Sequence, residues 1–103
     1  MILSIIIPVY NEEKTVIKVL KKIKNNTSNL FKYEIIVIDD GSTDQSGKLL
    51  ENNKHLFDKL LVNETNKGKG FSVKKGILNA SGTHIIFQDA DLEYDPADFK
   101  KFE

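Results

Sequence analysis

Ile2 to Ile7 is a nearly unbroken run of aliphatic, mostly β-branched residues, interrupted by Ser4 alone. A strand with one solvated face alternates apolar and polar residues. A run without alternation belongs in a strand covered on both faces, the mark of a parallel sheet. Pro8 follows, has no N–H to give, and is expected to end the hydrogen-bonding ladder. Asn11 then stands as a candidate helix N-cap with Glu12 and Glu13 in the first turn, and Val16, Val19, Leu20 and Ile23 recur at helical spacing until Asn25-Asn26. Strand, loop and amphipathic helix make one unit.

The unit recurs along the chain. Glu34 to Ile38 reads as a second buried strand, running into the turn-forming Asp39-Asp40-Gly41-Ser42-Thr43-Asp44 and a short helix with Leu49 and Leu50. Phe57 to Val62 reads as a third strand. After the polar loop Asn63 to Lys69, Phe71, Val73, Ile77 and Leu78 suggest a helix closed by Gly82. His84 to Asp89 is the fourth strand, again buried, and Asp95-Pro96 marks the start of a further helix that does not finish here. Alternating strands and helices with short connections imply one α/β domain over residues 1–103. Its expected form is a doubly wound, mostly parallel, Rossmann-like sheet of four strands with helices on both faces.

Composition closes off several kinds of chemistry. All 15 basic residues are Lys, so no planar guanidinium fork is present for bidentate anion clamping, and any anion contact falls to a Lys ammonium or a backbone N–H. Net charge is zero, which argues against nucleic acid as a partner, because such binding rests on a basic face that neutralises phosphates. With no cysteine there is neither a disulfide framework nor a thiolate nucleophile. Met1 to Tyr10 has no basic leader and meets Asn11-Glu12-Glu13 at once, which fits neither a signal peptide nor a membrane span and places the chain in the cytoplasm.

Open α/β sheets bind ligands beyond the carboxyl ends of their strands. The first strand delivers Pro8, Val9, Tyr10, Asn11 and Glu12 there, the second Asp39 and Asp40, and the fourth Asp89, Ala90 and Asp91, while the third leads into Asn66-Lys67-Gly68-Lys69-Gly70. If the chain stays extended through Asp91, Asp89 and Asp91 project to the same face. Two carboxylates about 4 Å apart repel by roughly 4 kcal/mol at an effective dielectric near 20, so they call for a proton, a hydrogen-bond network or a cation. An all-oxygen pair suits Mg²⁺ or Mn²⁺, ions that complete their shells with water and substrate phosphates, so the expected ligand carries a diphosphate.

Asp39-Asp40-Gly41 reads either as a turn with a helix cap or as a carboxylate for a base edge or ribose, and Tyr10 either packs or stacks on a ligand ring. The Gly-Lys-Gly loop is neither a Walker loop nor a dinucleotide fingerprint, since Val73 stands where the third Gly belongs, yet a glycine loop before a helix can approach a phosphate closely. His55 and His84 lack a partner at ligand spacing and read as structural.

Together, Ile5 to Glu12, Ile36 to Asp44, Asn66 to Gly70 and Asp89-Ala90-Asp91-Leu92-Glu93-Tyr94-Asp95-Pro96 resemble the family 2 glycosyltransferases of GT-A fold. The last block and the Gly-Lys-Gly loop look most like the polyprenyl (dolichyl) phosphate mannosyl- and glucosyltransferase branch. The resemblance implies transfer of a sugar from GDP-mannose or a UDP-sugar, with inversion, to a lipid-linked phosphate, and through that acceptor a peripheral place at the cytoplasmic membrane face. It implies that Pro8, Val9, Tyr10 and Glu12 line the nucleoside pocket, that Asp39 meets the base with Asp40 beside it, and that Lys67, Lys69 and Gly70 sit near the donor. Asp89, Ala90 and Asp91 become the Asp-x-Asp motif, with Asp89 and Asp91 on the metal and Asp91 the catalytic residue. Glu93 departs from the Gln frequent in this branch. The family continues beyond this block into the half that binds the acceptor, so the resemblance implies a donor-binding part, inactive alone. Two other readings compete: a nucleotide-sugar-binding module without catalysis, and a phosphoaspartyl α/β protein. The latter places its key acids after the first strand, where this chain has Pro8.

Overall fold

The computed structural model describes residues 2–27 and 32–91. Four strands, β1 (Ile2–Val9), β2 (Lys32–Asp39), β3 (Lys59–Val62) and β4 (His84–Phe87), form one sheet in the order β3-β2-β1-β4. Every neighbouring pair is parallel. Helices α1 (Val16–Thr27), α2 (Ser46–Glu51) and α3 (Lys69–Leu78) connect them. The expected doubly wound architecture is met; the helix expected from Asp95-Pro96 lies outside the described residues.

Which face each helix takes follows from handedness. From β1 to β2 to β3 the chain steps one way along the sheet, so right-handed crossovers put α1 and α2 on the same face. The return from β3 across to β4 reverses the direction and puts α3 on the other. Leu3, Ile5, Ile7 and Val9 of β1 and Ile35 and Val37 of β2 accordingly pack with Val16, Val19, Leu20 and Ile23 of α1 and with Leu50 of α2. Each of those fully buried α1 aliphatics contributes about 1.5–3 kcal/mol relative to exposure, which is what holds this helix on the sheet. Ile6, Ile36 and Ile38 face the opposite way, against Leu61 and Ala80. The unbroken aliphatic run is therefore explained: odd and even positions serve two different cores.

Several boundaries move, each for a local reason. Pro8 does not end β1, which continues to Val9 in register with Asp39. The Ile6 carbonyl accepts from the Gln88 N–H at 2.9 Å on the β4 side, and the Val9 carbonyl accepts from the Asp40 N–H at 2.8 Å on the β2 side. Pro8, two residues on from Ile6, therefore turns its missing N–H toward β4 and ends the ladder on that side alone. β3 begins at Lys59 and not at Phe57, because a 3-10 turn at Lys54–Leu56 comes first and Asp58 Oδ2 accepts from the Ile35 N–H at 2.7 Å. β4 is not the buried strand expected; it is the last strand on its side of the sheet among the described residues, with Ile85 and Phe87 38% and 50% exposed, and it ends at Phe87. Gly82 does not close α3, which stops at Leu78. It lies against β1 instead: a Cβ there would meet Ser4 Oγ at 2.4 Å.

Candidate functional site

The strand order reverses direction at β1, and a cleft of about 270 Å³ opens at the carboxyl end of the sheet at that place. Its wall brings together Pro8, Val9, Tyr10 and Glu12 from the first loop, Asp40 from the second, Lys69 from the third, and Asp89, Ala90 and Asp91 from the fourth. Of the residues expected at the site, Asp39, Lys67 and Gly70 are not among those lining it. Asn66 and Gly68 line it and were not singled out individually, although both belong to the loop around Gly-Lys-Gly.

The four loops are stitched to one another by side chains. Asn11 is not the cap of α1. It adopts φ 52°, a left-handed conformation Asn tolerates, and its Oδ1 accepts from the Thr43 N–H at 2.8 Å and the Asp44 N–H at 3.2 Å. Helix α1 starts only at Val16, whose N–H donates to the Glu12 carbonyl. The Glu12 N–H donates to Ser46 Oγ at 2.9 Å, which adds a second stitch between the first and second loops.

Asp40 joins the second loop to the third. It is 3% exposed; its Oδ1 accepts from Asn63 Nδ2 and from the Lys67 N–H, both at 2.8 Å, and its Oδ2 accepts from the Gly68 N–H at 2.9 Å. Burial pushes this carboxyl up, but the Lys67, Asn63, Gly68 and Ser72 donors outweigh it and hold the group below its ordinary value. Gly41 lets the two loops touch. Its φ is +69° and a Cβ there would lie 2.4 Å from the Thr65 carbonyl carbon, so both conformation and space require glycine. Asp39, the neighbouring acid, is turned elsewhere: 5% exposed, its Oδ1 accepts from the Ser42 N–H at 3.0 Å within its own turn.

The Asp89-Ala90-Asp91 segment is not a continuation of β4, which has ended, but a bend held from behind. The Ala90 side chain is buried in the α1-side core, 3% exposed, and the Thr15 hydroxyl donates to the Ala90 carbonyl at 2.7 Å. The same hydroxyl lies 3.2 Å from Glu12 Oε2, so one side chain ties the fourth loop to the first. Sequence reasoning missed Thr15; its only signal was its position just ahead of Val16, where a helix opens beside the site. Asp89 Oδ1 receives the Lys69 ammonium, with both side chains more than half exposed.

Electrostatically the cleft wall sets four carboxylates, Glu12, Asp40, Asp89 and Asp91, against one ammonium. Such a surface attracts cations and repels a bare phosphate. Among the described residues no three His, Cys, Asp or Glu side chains converge as a metal cage. An ion at Asp89 and Asp91 would therefore complete its shell with water and ligand oxygens, the habit of Mg²⁺ and Mn²⁺. The all-oxygen donor pair fits either ion. No described helix is long and apolar enough to cross a membrane.

Comparison with known proteins bears on this arrangement. A dolichyl-phosphate beta-glucosyltransferase of Dictyostelium discoideum is 38% identical over 112 residues, 98% of this chain and 34% of the relative's length. Among solved structures, S. aureus TarS 1–349 in complex with UDP superimposes with a TM-score of 0.84 at 28% identity, over 99% of this chain and 31% of its own. The mannosyltransferase PcManGT from Pyrobaculum calidifontis, in complex with GDP-Man and Mn²⁺, gives a TM-score of 0.80 at 25% identity, over 93% of this chain and 29% of its own. The chain thus has the Rossmann-like GT-A fold and spans about a third of the length of the curated relatives it matches. The model of glycosyl transferase family 2 matches residues 4–102, and the chain belongs to that family.

Proposed function

We propose that these residues form the donor-binding part of an inverting glycosyltransferase that takes a metal-bound nucleoside diphosphate sugar, GDP-mannose or a UDP-sugar, and passes the sugar to a polyprenyl phosphate at a membrane surface. The observation that carries this is the placement of Asp89 and Asp91 on either side of the anchored Ala90, at an acidic cleft where the strand order reverses. A diphosphate entering that cleft needs a cation between it and the acids. Asp89 and Asp91 would hold the ion, and the ion, when bound, stabilises the negative charge that develops on the departing diphosphate.

The chain's own residues supply the remainder. Pro8, Val9 and Tyr10 offer an apolar wall, and the Tyr10 ring, 44% exposed, offers a face for a base. Asp40 fixes the Asn66 to Gly68 edge through backbone donors. Lys67 within that edge and Gly70 just beyond it are both exposed, and Asp39 supports the second loop from inside. Support for the donor class comes from the solved neighbours, one in complex with UDP and the other with GDP-Man and Mn²⁺, and support for the acceptor class from the dolichyl-phosphate relative.

The test is calorimetric titration of GDP-mannose, UDP-glucose and UDP-N-acetylglucosamine with Mn²⁺ and with excess chelator. One of the three should bind with the metal and fail with the chelator. Asp91→Ala should weaken that binding by more than the roughly ten- to hundred-fold lost with a group that merely supports a metal ligand. Equal binding in chelator would sink the metal bridge.

A further inference from the structure

The cleft contains its own cation. The Lys69 ammonium donates to Asp89 Oδ1, with the lysine side chain 62% and the aspartate side chain 54% exposed. An ion pair this open to water is weak and exchanges easily. Its root, by contrast, is fixed: Lys69 is the first residue of α3, and the preceding Gly68 is pinned by its N–H to Asp40 Oδ2 at 2.9 Å. Among the described residues, no atom from elsewhere in the fold lies within 4 Å of where a Cβ would stand on Gly68 or Gly70, so no distant segment crowds the backbone on either side of Lys69. A held backbone with a free four-carbon stem lets the ammonium swing without moving the loop.

We infer that Lys69 competes with a divalent cation for Asp89, and that it yields the carboxylate more readily when the cation arrives with a diphosphate. The inference rests on the donor reading proposed above. A bare divalent ion must displace the ammonium and leaves it without a partner beside a like charge. A metal–diphosphate complex displaces it equally but brings phosphate oxygens that accept its hydrogen bonds. The same side chain therefore works against the free metal and in favour of the metal–nucleotide complex. Asp40 cannot take part in such an exchange, because its oxygens are occupied by Asn63 and by the Lys67 and Gly68 backbone.

The test measures two affinities in the full chain and in Lys69→Met and Lys69→Arg: Mn²⁺ alone, and UDP or GDP, whichever binds, at saturating Mn²⁺. Lys69→Met should bind Mn²⁺ alone up to roughly five-fold more tightly and the nucleotide more weakly by a similar factor, the range expected of an exposed pair. Lys69→Arg, which keeps the charge, should stay near wild type in both. If Lys69→Met moves both affinities in one direction, or leaves that for Mn²⁺ unchanged while wild type binds nucleotide, the exchange is refuted and the donor reading stands. If wild type binds neither nucleotide with Mn²⁺, the donor reading fails and takes this inference with it.

Discussion

The two ends of the sheet each hold a well-satisfied carboxylate, and among the described residues the candidate site lies at one of them. At the amino end Glu34 Oε2 accepts from the Ser4 hydroxyl and the Ser81 N–H, both at 2.6 Å, while Lys59 Nζ lies 3.5 Å from Oε1. That group clamps the start of β4 to β1 and β2. At the carboxyl end Asp40 does the same for the third loop, but beside it Asp89 has an exposed, exchangeable lysine. An acid becomes available to a ligand when its oxygens are not claimed by fixed backbone donors. Counting acids at a strand end does not reveal this; counting their committed donors does.

The comparison is broken most severely at Asp40. Asp40→Ala leaves the Asn63 side chain and the Lys67 and Gly68 N–H groups without their acceptor and should cost about 2 kcal/mol, read as a lower urea midpoint. Next comes pH. Burial raises Glu34, but the Ser4, Ser81 and Lys59 partners outweigh it, so that both Glu34 and Asp40 sit below their ordinary values of 4.5 and 3.8. With folded values depressed, the unfolded chain binds more protons. Their stabilisation is complete above the ordinary values and is lost as pH falls through the folded ones. Stability should therefore decline below pH 4.5, and Glu34→Gln and Asp40→Asn should each flatten that decline in unfolding curves taken from pH 7 to pH 3.

Smaller effects sharpen the contrast. Thr15→Val removes the hydrogen bond behind Ala90, worth about 1 kcal/mol, and should weaken Mn²⁺-dependent nucleotide binding roughly five-fold, with Thr15→Ser restoring it. Asp89→Ala is the smallest for folding. It should change unfolding free energy by less than about 0.5 kcal/mol, because the pair it breaks is exposed, while metal binding is lost.

Much of the fold was legible because burial on both faces demands aliphatic residues at consecutive positions, and β1 and β2 obey that rule. Strand β4 misled for the same reason: Ile85 and Phe87 carry the composition of a covered strand while standing partly exposed among the described residues. The site was legible as a set of loops but not as a set of contacts. Asn11 reaches Thr43 and Thr15 reaches Ala90 across separations of 32 and 75 residues, and no local pattern encodes such partners. Alternation along a strand separates Asp39 from Asp40, but which of them meets the third loop was hidden, because Asn63, Lys67 and Gly68 lie 23 to 28 residues away from Asp40.

Pro8 gives the cleft a chemical guarantee. Side-chain packing alone would let the segment after β4 zip onto β1, as Asp40 does on the other flank by donating to Val9. The pyrrolidine ring removes the next donor that zipping would use. The sheet thus parts along the β1–β4 seam for a reason written in covalent structure, and the cleft lies at that parting.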